Sequence, residues 1–458
     1  MHEHFAVPLP AGDCVGVQLY GDEAEVFKGE SYMALNRQSD HTDHYRNSRM
    51  SRFLICLIPK SKYAFDPATG VNLTLQGAVS EVARSLDRWS KAGILGLKCA
   101  FVGLKGDWKF LVQALNLKFS PSSDQICFLC PASKSLMYPY TDLRVNARWR
   151  TETHQGDVWY APPALLAIGN FHLGLVGLDI LHIFHLGIGR DLVAGVMVIL
   201  LRSRAFFQGN KAGFTFSYSF FGGVLVGSLQ VEQRMAAAST LVKQWSRAHG
   251  EKRLPNRWHF SKARLGLKSG KYAHFTGKGW QTAVVLQWLC SLFEAGSDRP
   301  EFQNLHASLY VCLWCGNNMM SLVHAARAES NLLSRDDQAQ LRLVGDLFLT
   351  AYLVIHDAFR GWCGYKLFNP RPKFHMLQHW VELTQKVRNP VGAATWMDED
   401  WIRSMMTLAA KTHIKSTEHS ALMRYLAGRA SCISYIISAQ DSRPAWTSTR
   451  PFKVSCYS

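Results

Sequence analysis

The first 107 residues carry an ordered series of segments that few folds accept. CVGVQLYGD (14–22) alternates apolar and polar residues and halts at Gly21-Asp22, which predicts a strand. SYMALNRQ (31–38) and RFLICLIP (52–59) are two further strand-like runs, and the polar SDHTDHYRNSRMS between them reads as a loop. TLQGAVSEVARSLDRWSKA (74–92) has helical spacing, with Val79, Val82, Ala83, Leu86 and Trp89 on one face and Gly93 as a stop signal. CAFVGL (99–104) is a fourth strand that runs into Gly106-Asp107.

The order is therefore strand, strand, strand, helix, strand, with an aspartate at the exit of the first strand and another at the exit of the fourth. That is the layout of a ribonuclease-H-like mixed-sheet core, an α/β fold in which strands one and four are neighbours. Asp22 and Asp107 would then converge at one end of the sheet, where α/β sheets commonly hold their ligands. From about 190 to 370 the pattern changes to long helical runs such as WQTAVVLQWLCSLFEAG (280–296) and LRLVGDLFLTAYLVIHDAF (341–359). We expect a first part of the core over 1–189, a large, mostly α-helical insertion over 190–370, a second part of the core over 371–430, and a tail over 431–458. DEDWIRSMMTLAAK (398–411) opens like a helix, with acids in its first turn.

Lys and Arg number 51 against 34 Asp and Glu, a net charge of +17, which favours a polyanionic partner such as DNA. The basic loop residues Lys252, Arg253, Lys262, Arg264, Lys268 and Lys271 are candidates to track phosphates. The 11 scattered cysteines and the lack of an apolar leader in MHEHFAVPLPAG predict a reduced intracellular protein, not a secreted one. The apolar stretch 173–201 is broken by Asp179, His182, His185, Arg190 and Asp191, so no membrane span is expected there. FTFSYSFFGGVLVGSLQV (214–231) reads as a buried helix or hairpin.

Three gathered acids can bind two divalent cations and promote phosphodiester chemistry, and carboxylates suit Mg²⁺ or Mn²⁺. The candidates are Asp22, Asp107 and one of Asp398, Glu399 and Asp400. Turn chemistry accounts for an Asp after a Gly equally well, and helix capping for the late acids. Cys127-x-x-Cys130 is half a Zn²⁺ site; His154, His172, His182 or His185 are possible completions. Cys312-x-x-Cys315 lies in a helical apolar run and reads as core. Asp179 and His182 stand one helical turn apart, and His375 and His379 have the i, i+4 spacing that can bind a metal.

Taken in order, these motifs resemble the catalytic region of CACTA-type cut-and-paste DDE DNA transposases. In that group a C-x-x-C follows the second catalytic aspartate, as Cys127 and Cys130 follow Asp107. The family's D-x-x-H matches Asp179 and His182 in GLDILHIFHLGIGRDL, and its histidine-containing approach to the last acid matches KFHMLQHWVE, so that the acid falls on Glu399. The resemblance implies a nuclear DNA-recombination enzyme of mobile-element origin, working on DNA with Mg²⁺ or Mn²⁺, with Zn²⁺ as a further candidate ion and a homo-oligomer as the candidate assembly. Asp22, Asp107 and Glu399 would be the catalytic metal ligands, with Asp179, His182, His375 and His379 auxiliary. A degenerate or domesticated copy that binds DNA without cutting it, and a helical scaffold unrelated to DNA, are the alternatives.

Overall fold

A computed structural model of the chain describes residues 14–39, 48–94, 96–202, 209–210, 213–214, 228–250, 253–267, 271–295, 305–329, 332–386 and 388–441. Strands β1 (Cys14–Phe27), β2 (Glu30–Ser39), β3 (Arg52–Pro59) and β4 (Lys98–Gly106) form a four-stranded mixed sheet in the order β3-β2-β1-β4. The first three strands pair antiparallel, whereas β4 lies parallel to β1. A short helix, α1 (Ser48–Ser51), leads into β3.

A parallel neighbour needs a crossover, and α2 (Leu73–Ala92) supplies it. Asn72 caps its start by accepting a hydrogen bond from Leu75 N at 3.0 Å, and Gly93, with φ +73°, ends it. Its apolar face, Leu75, Val79, Val82, Ala83 and Leu86, packs with Val17, Leu19, Met33, Leu35 and Ile58 on one face of the sheet. Residues of opposite parity, Tyr20, Tyr32 and Ala34, point to the other face. There they meet Trp401, Ile402, Met405 and Met406 of α11 (Trp396–Ala409) and Tyr425 of α12 (Thr417–Asp441). The result is helix, sheet, helix in three layers.

The early strands and α2 lie where the sequence puts them, with one correction. β1 does not stop at Asp22: it runs on to Phe27, because β2 continues to pair with it through the Asp22↔Ala34 and Glu23↔Met33 positions. β4 accompanies β1 only as far as Gly21↔Gly106, so beyond that pair the β1 edge is open.

After β4 come α3 (Trp108–Ala114) and the short α4 (Arg148–Thr151), and then the chain returns to the sheet. Val176 makes a single parallel bridge to Leu104 on the outer side of β4, with Gly177 N donating to Leu104 O at 2.7 Å. A π-helical turn, Leu181–Ile188, kinks at Gly187 and continues into α5 (Gly189–Arg202). The two-residue strands β5 (Gly209–Asn210) and β6 (Gly213–Phe214) precede α6 (Ser228–Ala248), and α7 (Gly279–Glu294), α8 (Leu305–Glu329), α9 (Arg335–Ala358) and α10 (Pro372–Leu383) follow. The core under α2 passes without a break into these helices. Most of the 214–231 run, the helix-or-hairpin candidate, lies outside the described residues.

Leu181–Arg202 is apolar and long enough to cross a bilayer, with mean hydropathy 1.8, but 89% of that window is buried inside the protein. Cys312 and Cys315 are core residues of α8, as their apolar surroundings predicted. The eight described cysteines form no disulfide.

One buried ion cluster fixes α11 on the sheet. Asp398 is fully buried; it accepts from Arg52 Nε of β3 at 3.0 Å and from Lys105 Nζ of β4 at 2.8 Å. Lys105 also donates to Gln38 Oε1 of β2 at 2.8 Å. Burial opposes the charge on Asp398, but Lys105 and Arg52 hold its carboxyl below the usual carboxylate range. Removing this carboxylate leaves two cations buried and unpaired, a cost of about 3–5 kcal/mol. We therefore expect Asp398→Ala to lower the unfolding free energy by that amount in chemical denaturation. Asp400→Ala, which loses only the exposed residue's bond from Ser48 Oγ, should cost about 1 kcal/mol or less.

Candidate active site and metal centre

Each of the two early aspartates follows a glycine, and packing gives the reason. Gly21 and Gly106 are register partners, and the Phe110 ring of α3 lies over both. A Cβ on Gly21 would stand 2.2 Å from Phe110 Cε2, and one on Gly106 would stand 2.4 Å from Cδ1. The aspartates one step further along two adjacent parallel strands therefore sit side by side. Asp107 is also the N-cap of α3, accepting from Phe110 N through Oδ1 at 2.7 Å. Asp22 accepts from Tyr20 OH at 3.0 Å and from Glu23 N at 2.7 Å. Burial and the neighbouring charge of Asp107 push the Asp22 carboxyl up to about 6, against the pull of the Glu23 N–H and of His182.

The late acids divide by direction around α11. Asp398 points into the buried cluster, Asp400 bonds to α1, and Glu399 faces the aspartates. Burial, with the charges of Asp179 and Asp22, raises the Glu399 carboxyl, while His182 opposes that rise. The sequence left the third acid open among these three; of them, Glu399 is the one that contacts His182 and feels the charge of Asp22.

Asp179 and His182 join the two halves. Asp179 is buried and accepts from Thr395 Oγ1 at 2.5 Å and from Thr395 N at 3.1 Å, which fixes the start of α11. Its Oδ2 lies 2.5 Å from His182 Nδ1, and His182 Nε2 lies 3.5 Å from Glu399 Oε1. Burial disfavours a charge on His182, but the Asp179 hydrogen bond and charge, with Glu399, lift it to about 9. It is thus an imidazolium at neutral pH. A cleft opens beside it, lined by Asp107, Lys109, Phe128, Asp179, His182 and Lys373, among others.

The second cluster is a set of side chains that could hold a metal ion. Cys127 and Cys130 meet His375 and His379 of α10, and all four ligand atoms lie within 4.8 Å of one another. Cys130 Sγ is 3.1 Å from His375 Nε2 and 3.3 Å from His379 Nε2; Cys127 Sγ is 3.4 Å from His379 Nε2. Tetrahedral Zn²⁺ with ordinary Zn–S and Zn–N bonds needs S···N separations of roughly 3.5 Å, so this buried Cys2His2 set could hold such an ion. Further contacts orient the rings: His375 Nδ1 is 2.9 Å from Gln378 Oε1, and His379 Nδ1 is 3.3 Å from Glu382, which pairs with Arg150 of α4. Burial opposes ionisation of Cys127, yet a Cys130 hydrogen bond and the His379 charge pull its thiol well down. Against burial, Cys127 and Glu382 lift His379 to about 9. A cation bound here would displace the proton of His379.

This corrects one expectation. The ligands completing the Cys127–Cys130 pair are not His154, His172, His182 or His185 but the two α10 histidines, which the sequence displayed as a separate pair. His154 stacks on Phe119 at 4.8 Å, His172 accepts from Gly174 N, and His185 packs against Trp396. Among the described residues, the carboxylates of Asp22, Asp107 and Glu399 do not close to the 4.8 Å of the Cys/His set.

The basic loop is less uniform than its sequence. Arg253 and Lys271 are exposed, Lys262 pairs with Glu232 at 3.2 Å, and Arg264 lies 5.3 Å over the Trp258 ring; Lys252 and Lys268 lie outside the described residues. Sequence reading missed Lys105, Arg52 and Tyr20, and gave Lys373 only as the first residue of KFHMLQHWVE. Only Lys105 carried a signal, as a lone cation inside the apolar run CAFVGLKGD.

No protein-family model matches the chain, and no curated protein matches it.

Two outcomes test the site. Purified protein should contain about one Zn²⁺ per chain by elemental analysis, and Cys127→Ser should lose it together with several degrees of thermal stability. In metal-free buffer, Asp22→Asn should be more stable than the parent at pH 7. Asp22 is raised in the fold relative to an unfolded value of about 3.9, so it disfavours folding above about pH 6 and has no effect below about pH 4. The gap between the two melting curves should therefore close on acidification, and Mn²⁺ should narrow it at pH 7.

Proposed function

We propose that the protein is a metal-dependent phosphodiester transferase acting on DNA, of the transposase type, built on a ribonuclease-H-like core. The observation that carries this reading is the approach of Asp22 to Asp107, with Glu399 close enough to Asp22 to feel its charge. The first two lie side by side beyond paired glycines, and the third contacts His182. The fold assignment is supported by the β3-β2-β1-β4 order with only β1 and β4 parallel, and by α2 as the crossover. The parallel bridge of Val176 outside β4, where a fifth strand would add, supports it too.

The donor set suits hard divalent cations such as Mg²⁺ or Mn²⁺, since all three groups offer carboxylate oxygens. The charge conflict between Asp22 and Asp107 is the kind that a bound cation relieves. When bound, such ions would activate the attacking oxygen and stabilise the leaving one. In the first step a water oxygen forms a bond to phosphorus and the P–O3′ bond breaks, giving a 5′-phosphate and a 3′-hydroxyl; the water's proton goes to solvent. In the second, that 3′-oxygen bonds to a target phosphorus and displaces another 3′-oxygen.

The protein's own contribution is positional. Asp179 holds both Thr395 and His182, so the last acid and its imidazolium partner are set by one buried carboxylate. The metal centre would keep the adjoining wall in place: Phe128 and Met376 line the cleft, each flanked by or next to a metal ligand. Arg253 and Lys271, both exposed, suit contacts to the phosphate backbone.

Asp107→Asn is the decisive variant, because Asn caps a helix as well as Asp does and so spares α3. It should abolish Mn²⁺-dependent nicking of supercoiled plasmid and leave salt-sensitive DNA binding within about twofold. Nicking at the parent rate would remove Asp107 from the chemistry, and binding without nicking in the parent protein would indicate an inactive DNA-binding relative.

A further inference from the structure

Three cations gather around Asp191, and one of them, Lys373, lines the cleft. Arg190 opens α5, and Arg371 and Lys373 begin α10. Asp191, whose side chain is fully buried, accepts from Arg371 Nη2 at 2.5 Å and is the near counter-charge for all three. Asp191 Oδ2 and the Nε atoms of Arg190 and Arg371 are buried without partners. Lys373 has no hydrogen-bond or ion-pair partner among the described residues, yet it lines the cleft with Asp107 and His182. Asp179 also attracts Lys373 but is already paired with His182, so the three cations outnumber the carboxylates that face them, at a site that opens beside Asp107.

The backbone is shaped to bring Lys373 there. At the Gly187 kink, with φ −123° and ψ −111°, a Cβ would stand 2.9 Å from Lys373 Cδ. A side chain at position 187 would thus collide with the lysine stem, and the glycine leaves its lane clear. The metal centre two residues further along α10 fixes the same turn of helix.

We propose that Lys373, flanked by Arg190 and Arg371, is the seat of one DNA backbone phosphate within the carboxylate cleft. This deepens the transferase reading and rests on it for the choice of DNA. A phosphate bound there completes the charge balance that Asp191 leaves unfinished, and it would orient the strand whose neighbouring phosphate meets Asp22, Asp107 and Glu399. Lys373 is a positioning residue, not one of the reacting groups.

The test uses the full chain and a fluorescein-labelled 40-base-pair duplex, titrated without divalent cations over a range of salt concentrations. Lys373→Gln should weaken binding about 5- to 30-fold and lower the salt slope by about one, the loss of a single phosphate contact. Lys373→Arg should restore both, and bound Zn²⁺ and melting temperature should stay at parent values. Arg190→Gln is the second variant, with the same expectation, should Lys373→Gln fail to fold. Unchanged affinity and slope in both neutral variants would overturn the proposal, as would a parent protein that does not bind the duplex. Weakened binding in a parent that never nicks DNA would keep the phosphate seat and reject the transferase, so the two failures are distinguishable.

Discussion

A single carboxylate, Asp398, determines where α11 sits on the sheet. It is wholly buried and reaches Arg52 on β3 and Lys105 on β4, with Lys105 also bound to Gln38 of β2. Two charges taken out of water tolerate little displacement, since any shift leaves a desolvated ion unpaired. α11 is thereby held in one register against the sheet. Glu399, the next residue along that helix, turns away from that cluster and reaches His182.

The same logic repeats at the other end of the site. Asp179 ties the π-helical turn to Thr395, and the thiols of the loop after α3 meet the imidazoles of α10. Each anchor joins an early segment to a late one, and together they bracket the cleft. Charge sets the remaining features: Asp107 raises Asp22, and Asp179 and Glu399 lift His182. A site that stores like charges at this density is costly to fold, and such costs are characteristic of places where ligands bind.

The strands, α2 and the helical character of the middle were legible because they are written in local periodicity and in Gly signals. The two aspartates were legible for the same reason, as each follows a glycine, Asp22 within β1 and Asp107 at the end of β4. What local pattern could not give was pairing over distance. Cys127–Cys130 and His375–His379 each appeared as half a metal site, and nothing local joins them across 245 residues. The direction in which Asp398, Glu399 and Asp400 point turned on which face of α11 meets the sheet, and there Asp398 is held by Arg52 and Lys105. The β1 end was misjudged because the stop signal at Gly21-Asp22 arises from packing under Phe110, while pairing with β2 carries the strand onward.

The long reach of the metal centre also bears on how the chain is made. Both thiols leave the ribosome well before His375 exists, since 245 residues separate it from Cys130. At translation rates of about 5–20 residues per second that interval is roughly 12 to 50 s. For that time the nascent sheet lacks one covering layer and the cysteines lack their imidazoles, so they are open to oxidation or to stray metal. With this wiring, the four groups can share an ion only after nearly the whole chain has been made.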